Sequence, residues 1–387
     1  MTPTVLIKQC RLYTSAISEP PVDILVSDGK IVSIGQVRRS IEHPTIVEAH
    51  GRIAIPGLID LHIQGAGGAD VLDGTADSLR TISQTLARLG TTAFLGTTVV
   101  KTSEGNRHLN VARERQAEDL GGATLLGIHL EGPFINEKRR GGIDPASIYP
   151  SSRRAMEEIL DVTGDSLKIM TIAPELPGSL EIIRRLVEVG VVASFGHSDA
   201  SYEETKRGFE AGIRHVTHLF NAMPPLHHRS PGPLLAIFEE ERSTLQVISD
   251  GHHLHPGIVR FICQVAGPRR CICITDGISG MGLPDGRYSY NGREYESRNG
   301  AARYLDGTLI GSSMSLWNVT VKFREFARCS LQEAVNTVTS NPARTLGIES
   351  HKGSLEAGKD ADIVLLEKDL SVHTTIVNGR ICYRAST

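Results

Sequence analysis

The sequence predicts an α/β fold: a (β/α)8 TIM-type barrel, with a small β-sandwich domain formed by the N- and C-terminal segments. Three observations lead to this prediction. Eight short apolar runs alternate with amphipathic segments along the middle of the chain, period-two alternation marks both ends, and 387 residues suit one large barrel with a small accessory domain. We place the sandwich at residues 1–55 and 351–387, and the barrel at residues 56–350.

Both ends of the chain are predicted to form short strands. Over residues 4–55 apolar and polar residues alternate, and DILVSDGKIVSIG places Asp28-Gly29 between two such runs, which is typical of a tight hairpin turn. Over residues 353–382, SLEAGKDADIVLLE and HTTIVNGRICY repeat this pattern. We expect the two ends to pair into one β-sandwich beside the central domain.

The middle of the chain has the pattern of a parallel sheet with crossover helices. Amphipathic segments such as SLRTISQTLARLG and SLEIIRRLVEVG each end on glycine, as helices often do. Eight apolar runs alternate with such segments, which predicts a closed barrel. These runs are RIAIPGLIDLHI, TTAFLGTTVV, TLLGIHLEG, LKIMTIAPE, GVVASFGHS, HVTHLFN, TLQVISDG and RCICITDG.

Polar residues stand at the carboxyl ends of these runs. Barrel enzymes build their sites at that rim, so we expect residues far apart in sequence to meet there. The rim residues are His62, Gln64, Thr97, Thr98, His129, Glu131, Glu175, His197, His218, Asn221, Asp250, His253 and Asp276.

The segment after the eighth run, GISGMGLPDGRYSYNGREYESRNGAARYLDG, is rich in glycine and tyrosine. Its Asn291-Gly292 pair predicts an inserted hairpin near the same rim, either a lid or a simple surface hairpin. Two helices are then predicted, over SLWNVTVKFREFA and over LQEAVNTVTSNPARTLG, with the second ending at Gly347.

The composition of the chain argues against some classes of binding partner. The net charge of -3 is scattered along the chain, without the basic stripe that nucleic-acid binding requires, so we expect a small-molecule ligand. We expect neither secretion nor a membrane span, because the start lacks a leader pattern and no run reaches eighteen apolar residues. The six cysteines show no paired framework, which predicts reduced thiols and a cytoplasmic location.

Three rim residues on different predicted strands have the chemistry of metal ligands. Glu131, His197 and His218 offer a carboxylate and two imidazoles, and catalytic metal sites keep three protein ligands and an exchangeable water. The set predicts a hydrolytic metal site. Asp276, at the end of the eighth run, is the natural general base, since a positioned carboxylate must take a proton from the water and return it to the leaving group.

Several motifs make the chain resemble the N-acetylglucosamine-6-phosphate deacetylase family of the amidohydrolase superfamily. The resemblance runs from IPGLIDLHIQG to the C-terminus, and HLEGPF with THLFNAM is its most specific part. The other motifs are FGHSDA at 195–200, SDGHH at 249–253, TDG at 275–277, SNPARTLG and GKDAD.

The resemblance implies roles for individual residues. Glu131, His197 and His218 match the family's metal ligands, and Asp276 matches its catalytic aspartate. The residues that match its binding site for the sugar phosphate are Asn221, Ala222, His253 and Arg229. Arg229 is implied to reach across from the neighbouring subunit of a homodimer.

The implied reaction removes acetyl from N-acetyl-D-glucosamine 6-phosphate and releases D-glucosamine 6-phosphate and acetate, a step of amino-sugar catabolism. The implied cofactor is a divalent metal, with one zinc ion per chain as our prediction and iron or another divalent ion as the alternative.

The chain departs from the family pattern at two places. Relatives with His-x-His on the first strand can hold two metals, whereas this chain has His62 followed by Gln64, and a neutral amide is a weak ligand. We predict one tightly held metal and a weak or empty second position at His62 and Gln64. Ile143, in RRGGIDP, replaces a histidine that several relatives use near the sugar, and His62 is one candidate to compensate.

Three other functions compete with this reading. An N-acetylgalactosamine-6-phosphate deacetylase is the main alternative, because the two sugars differ only in configuration at C4 and the motifs do not distinguish it. A cyclic-amide hydrolase usually needs His-x-His and a lysine at the end of the fourth strand, where this chain reads MTIAPE. A non-catalytic relative would be expected to have lost metal ligands or the aspartate, and here all four residues are present.

Overall fold

The first five strands of the chain belong to a sheet that lies beside the barrel. The structure is a computed structural model that describes residues 4–14, 19–35, 43–101 and 105–386. The Asp28-Gly29 turn has positive φ angles of 50° and 74°, which confirms the predicted hairpin. The strands are β1 (Val5–Leu12), β2 (Val22–Ser27), β3 (Lys30–Gly35), β4 (Thr45–Glu48) and β5 (Ile53–Pro56).

Gly57 separates this sheet from the barrel. The run RIAIPGLIDLHI was expected to be one barrel strand, and the structure corrects this: β5 pairs within the terminal sheet, and only β6 (Leu58–Ile63) enters the barrel. A two-stranded hairpin follows, made of β7 (Gly65–Ala66) and β8 (Ala69–Asp70).

Eight parallel strands form the barrel in the order β6, β9, β10, β11, β12, β13, β14, β15. The strands after β8 are β9 (Thr91–Thr98), β10 (Thr124–Glu131), β11 (Leu167–Ile172), β12 (Val192–Phe195), β13 (His215–Val216), β14 (Thr244–Val247) and β15 (Cys271–Cys273). The Ile63 bridge to Gly277, just beyond β15, brings the last strand against the first. The predicted barrel is confirmed.

Helices connect the barrel strands. They are α1 (Ala76–Arg88), α2 (Arg107–Glu114), α3 (Arg153–Thr163), α4 (Ser179–Glu188), α5 (Tyr202–Ala211), α6 (Gly232–Glu239) and α7 (Pro256–Ala266). Across the described ranges, none of the helices has the length and apolar character needed to cross a bilayer.

The two faces of the barrel strands have different partners. In β9, Phe94 packs in the large cluster shared with the helices, while Ala93 and Leu95 belong to a separate apolar cluster inside the barrel. Thr97 continues the inward face towards the carboxyl end of the strand, and His129 and Glu131 do the same in β10. The interior is therefore apolar in its middle and polar at the rim.

The insertion after β15 is larger than predicted. It forms a four-stranded antiparallel sheet, which we call the inserted sheet, of β16 (Gly286–Tyr290), β17 (Arg293–Arg298), β18 (Ala301–Tyr304) and β19 (Leu309–Ser312). The predicted turn at Asn291-Gly292 is confirmed, with φ angles of 48° and 75°.

The last helices are α8 (Leu316–Ala327), α9 (Leu331–Asn336) and α10 (Ser340–Thr345). The prediction of one helix over LQEAVNTVTSNPARTLG was wrong. Pro342 has no N–H to donate to the carbonyl of Val338, and that carbonyl instead accepts the N–H of Ile59 at 2.8 Å. The break puts the proline in the first turn of α10, where no such bond is needed.

The C-terminal strands complete the sheet that β1 begins. They are β20 (Ile363–Leu366), β21 (Val372–Val377) and β22 (Arg380–Arg384), and β20 pairs with β5. Residues 5–8 of β1 pair with β4 and residues 11–12 pair with β5, so β1 runs through both halves of the sheet. One apolar cluster joins residues from both chain ends, which confirms a separate sheet-rich domain.

We predict that a side chain at position 57 destabilises the junction between the two domains. The Gly57 N–H donates to the Asp362 carbonyl at 2.8 Å, and a Cβ added at Gly57 would lie 2.1 Å from Thr92 Oγ1 and 2.8 Å from Asp362 Cβ. Gly57→Ala should lower the free energy of unfolding by about 1–3 kcal/mol, measured by chemical denaturation. Gly286→Ala is the control, because its Cβ would meet atoms only at ordinary distances of 3.7 Å or more. Equal stability of the two variants would contradict the prediction.

Candidate metal centre and active site

A cavity at the carboxyl ends of the barrel strands collects most residues of the predicted site. Its volume is about 160 Å³. Gln64 and Asp276, which are 212 positions apart, lie in hydrogen-bond contact in its lining. The sequence-predicted residues that line it are Gln64, Glu131, His197, His218, Asn221, Ala222, His253 and Asp276.

Glu131, His197 and His218 bring three ligand atoms together. Glu131 Oε1 lies 2.9 Å from His197 Nε2 and 3.0 Å from His218 Nε2, and the two nitrogens are 3.1 Å apart. All three side chains are buried. Two imidazole nitrogens and one carboxylate oxygen are a ligand set that zinc and related cations favour, so the residues present fit a metal ion.

Sharp turns after the strands direct these side chains to the barrel mouth. His197, His218 and Asp276 lie two or three residues beyond the ends of β12, β13 and β15, with φ angles of 47°, 27° and 49°. A positive φ is uncommon for a residue with a side chain, and it clusters at functional sites where the surroundings stabilise it. The turns therefore place ligand atoms where continued strands would not.

The loop after Phe134 fixes His197. The His197 Nδ1 lies 2.7 Å from the Arg139 carbonyl, and the His197 carbonyl accepts the Asn136 N–H at 2.9 Å. Because a carbonyl only accepts, Nδ1 carries a proton, and Nε2 is the ring nitrogen that faces the metal position.

The charges of the centre shift two pKa values in opposite directions. Burial raises the pKa of Glu131, but the charges of His62 and His197 and the imidazole hydrogen bonds outweigh it and hold the pKa well below its usual range. Burial, reinforced by the Glu131 charge, raises the pKa of Asp276 to about 6. Glu131 is therefore a permanent anion, whereas Asp276 exchanges a proton near neutral pH.

His62 is fully buried and does not line the cavity. Its Nδ1 is 3.1 Å from Gln246 Oε1, which also accepts the His218 N–H at 3.2 Å. Its Nε2 is 3.3 Å from Asp276 Oδ1. The sequence reasoning missed Gln246, although an amide within the apolar run TLQVIS was a signal for it.

Gln64 has a fixed amide orientation. Its Nε2 donates to Asp276 Oδ1 at 3.2 Å, which leaves its Oε1 buried and without a hydrogen bond among the described residues. His62 and Gln64, the predicted second metal position, therefore both face Asp276.

Asp250 orients His253. Its Oδ2 lies 2.7 Å from His253 Nδ1, and its Oδ1 accepts the N–H groups of His252 and His253. The other ring nitrogen, Nε2, is 3.7 Å from Asp276 Oδ2. Asn221, at the same rim, donates from its side chain to the carbonyls of His218 and Leu219.

Other rim residues act within the protein rather than in the cavity. His129 bonds the Leu61 carbonyl and Thr171 Oγ1, both at 2.9 Å. Glu175 accepts from three partners on the neighbouring loops: Asn136, Ser198 and Asp199. These residues support the loops that hold the ligands.

Arg229 lies outside the cavity of its own chain. It is exposed in the loop before α6, where its Nη1 is 2.7 Å from His228 Nε2. Among the described residues, no lysine or arginine lines the cavity.

One wall of the cavity is apolar. It combines Ile143 from the loop after β10 with Leu309 and Ile310 from the inserted sheet, which also contributes Tyr290. The insertion is therefore part of the cavity wall.

The chain is similar to proteins of known activity along nearly its whole length. Residues 53–382 match the model of the amidohydrolase family. The N-acetylglucosamine-6-phosphate deacetylase of Bacillus subtilis is 36% identical, over 99% of this chain and 98% of the relative. The N-acetylgalactosamine-6-phosphate deacetylase of Escherichia coli O157:H7 is 32% identical, over 92% of this chain and 93% of the relative.

A solved structure shares the architecture. A mutant N-acetyl-D-glucosamine-6-phosphate deacetylase from Mycobacterium smegmatis, in complex with N-acetyl-D-glucosamine-6-phosphate, superimposes with a TM-score of 0.89. It is 29% identical, and the match covers 98% of this chain and 99% of that chain.

Proposed function

The chain belongs to the amidohydrolase family, and we propose that it deacetylates N-acetyl-D-glucosamine 6-phosphate to D-glucosamine 6-phosphate and acetate. One observation carries the proposal: Glu131, His197 and His218 converge in one cavity with the Asp276 carboxylate. Metal-dependent amide hydrolysis needs a cation site and a carboxylate that can take up a proton. The three ligands supply the site, and Asp276, whose pKa burial raises to about 6, supplies the carboxylate.

We propose one zinc ion per chain, held by Glu131, His197 and His218, with iron or another divalent ion as the alternative. When bound, such a cation supplies a Lewis acid that activates water and polarises an amide carbonyl. Gln64 supports the count of one, because its amide nitrogen faces Asp276 and an amide oxygen is a weak ligand.

Asp276 moves the proton of the reaction. Its carboxylate accepts a proton from the attacking water and returns it to the amine nitrogen as the carbon–nitrogen bond breaks. The Gln64 amide holds Oδ1 at 3.2 Å, so the carboxylate keeps one orientation through both transfers. Burial raises the pKa of Asp276 above the usual range of an aspartate, which makes its carboxylate a better proton acceptor.

The phosphate of the substrate is bound by Asn221, the backbone at Ala222, His253 and Arg229 of a neighbouring subunit. The lining of the cavity supports the last assignment, because it contains no lysine or arginine among the described residues. Leu226 and Leu235, on either side of Arg229 in sequence, are 50% and 39% exposed, as expected for a surface that another chain covers. We propose a homodimer.

N-acetylgalactosamine 6-phosphate is the second candidate substrate. The Escherichia coli O157:H7 relative, whose name specifies the galactosamine substrate, is 32% identical to this chain.

We also propose a cytoplasmic location, which the six free cysteine thiols support.

Replacing the Glu131 carboxylate should weaken metal binding. We expect Glu131→Gln to bind zinc on the order of 100-fold more weakly, because a neutral amide replaces an anionic ligand. Equilibrium dialysis measures the affinity, and the unchanged chain should hold one tightly bound ion. Glu175→Gln is the control, since Glu175 bonds only loop residues and its replacement should leave the stoichiometry at one. Two tight ions in the unchanged chain would refute the proposed count.

Acetate release from four amides tests the function. The zinc-loaded chain is assayed with N-acetylglucosamine 6-phosphate, its C4 epimer, unphosphorylated N-acetylglucosamine and a cyclic amide. We expect kcat/KM to be highest for the first and about 100-fold lower without phosphate. Asp276→Asn should lose 10²–10⁴-fold in kcat, on the order typical of a general base. A preference for the C4 epimer would identify N-acetylgalactosamine 6-phosphate as the substrate. Activity on none of the sugars would refute the proposal.

Subunit mixing tests Arg229. We expect Arg229→Met to lower kcat/KM about 10- to 100-fold for the phosphorylated sugar and to leave the rate on the unphosphorylated sugar unchanged. Co-expression with Asp276→Asn chains should restore activity, because the latter donate Arg229 to a site with an intact Asp276. Chains that carry both substitutions are the control and should restore none. Equal recovery with both partners would contradict a shared site.

A further inference from the structure

Among the described residues that line the cavity, Tyr290 has the one polar side chain that the proposed mechanism does not use. It ends β16 at the Asn291-Gly292 turn, where it pairs with Arg293. Its side chain lines the cavity and is 9% exposed. A buried tyrosine hydroxyl usually finds a hydrogen-bond partner, so an unused one needs an explanation.

The Tyr290 hydroxyl has no hydrogen-bond partner among the described residues, in contrast to the hydroxyls of Tyr288 and Tyr295. Tyr295 bonds Ser279 Oγ at 2.9 Å and accepts the Gly280 N–H at 2.7 Å. Tyr288 donates to the Pro284 carbonyl at 2.6 Å. The Tyr304 hydroxyl also bonds none of the described residues, but Tyr304 does not line the cavity, so Tyr290 is the phenol of this sheet that combines a free hydroxyl with a place in the cavity wall.

Among the described residues, the other side chains of this cavity wall are apolar. Ile143, Leu309 and Ile310 supply apolar surface, and Gly142 allows the loop to approach closely, because a Cβ there would lie 2.8 Å from Ile310 Cγ2. Ile310 also packs with Tyr290 in the apolar cluster of the inserted sheet. The ring is therefore held in place, and its hydroxyl is the polar group of this wall.

The hydroxyl is a neutral donor at neutral pH. Burial raises the pKa of Tyr290, and the carboxylates of Asp70, Glu131 and Asp276 raise it further. A protonated phenol can donate one hydrogen bond and accept others, which suits a sugar hydroxyl.

We propose that Tyr290 binds substrate: its phenol hydrogen-bonds a ring hydroxyl of the amino sugar and thereby contributes to substrate selection. The inference rests on the proposed function. In that substrate the acetamido group faces the metal centre and the phosphate faces Asn221, Ala222 and His253. The polar groups left for Tyr290 are the hydroxyls at C1, C3 and C4.

Tyr290→Phe removes only the hydroxyl and tests the proposal. We expect kcat/KM for N-acetylglucosamine 6-phosphate to fall about 3- to 10-fold, with unchanged zinc content and unfolding midpoint. Tyr304→Phe is the matched control, because Tyr304 is a buried phenol of the same cluster that does not line the cavity. It should stay within twofold of the unchanged chain.

Three substrate analogues that lack the hydroxyl at C1, C3 or C4 separate a contact from a structural effect. For the analogue without the contacted hydroxyl, the unchanged chain and Tyr290→Phe should be equally active, whereas the variant should remain weaker on the other two. An equal loss on all three analogues, or no loss on the parent substrate, would overturn the proposal for Tyr290 alone. An unchanged chain that is inactive on every sugar phosphate would overturn the proposed function and this inference with it.

Discussion

The closure of the barrel between its first and last strands is the constraint on which the site depends. These strands share only an isolated bridge, and side chains reinforce it: the buried Asp60 carboxylate accepts the His62 N–H at 3.1 Å and Thr275 Oγ1 at 2.6 Å. The Asp276 N–H donates to the His62 carbonyl at 3.0 Å, and the Asp276 carbonyl accepts the Ser312 N–H at 2.8 Å. The contacts between the first and last strands thus position Asp276, the residues beside it and the end of the inserted sheet.

The pKa values in the site depend on the presence of two carboxylates, Glu131 and Asp276, in one buried centre. Two buried anions repel, and the arrangement of partners decides which of them keeps its charge. Glu131 has two imidazoles within hydrogen-bond distance, which hold its pKa well below the usual range against the effect of burial. Asp276 has a neutral amide, Gln64, as its hydrogen-bond partner, so burial and the Glu131 charge dominate and raise its pKa to about 6. Glu131 and Asp276 are both carboxylates, and their pKa values differ because their neighbours differ.

Local patterns predicted the barrel because each strand is an apolar run that ends in a polar residue, and the ends of parallel strands must meet. The cluster of Glu131, His197 and His218 follows from that geometry. Features that depend on distant partners were not predictable. The break between α9 and α10 depends on Ile59 taking the Val338 carbonyl, and the role of Gln246 depends on His62, 184 positions away. Arg229 was implied by the family resemblance alone, because in its own chain it is an exposed loop residue outside the cavity.

Gln64 affects both the proposed number of metal ions and Asp276, the proposed general base. Because the Gln64 nitrogen donates to Asp276 Oδ1, only the neutral amide oxygen is left for a second cation, and an amide oxygen is a weak ligand for zinc. Its oxygen is left buried without a hydrogen bond, which is costly unless water or ligand reaches it through the cavity that Gln64 lines. An imidazole at this position could hold a second metal, whereas the amide supplies an N–H to the base. This arrangement supports the proposal of one cation, with the hydrogen bond of Gln64 holding the Asp276 carboxylate in place.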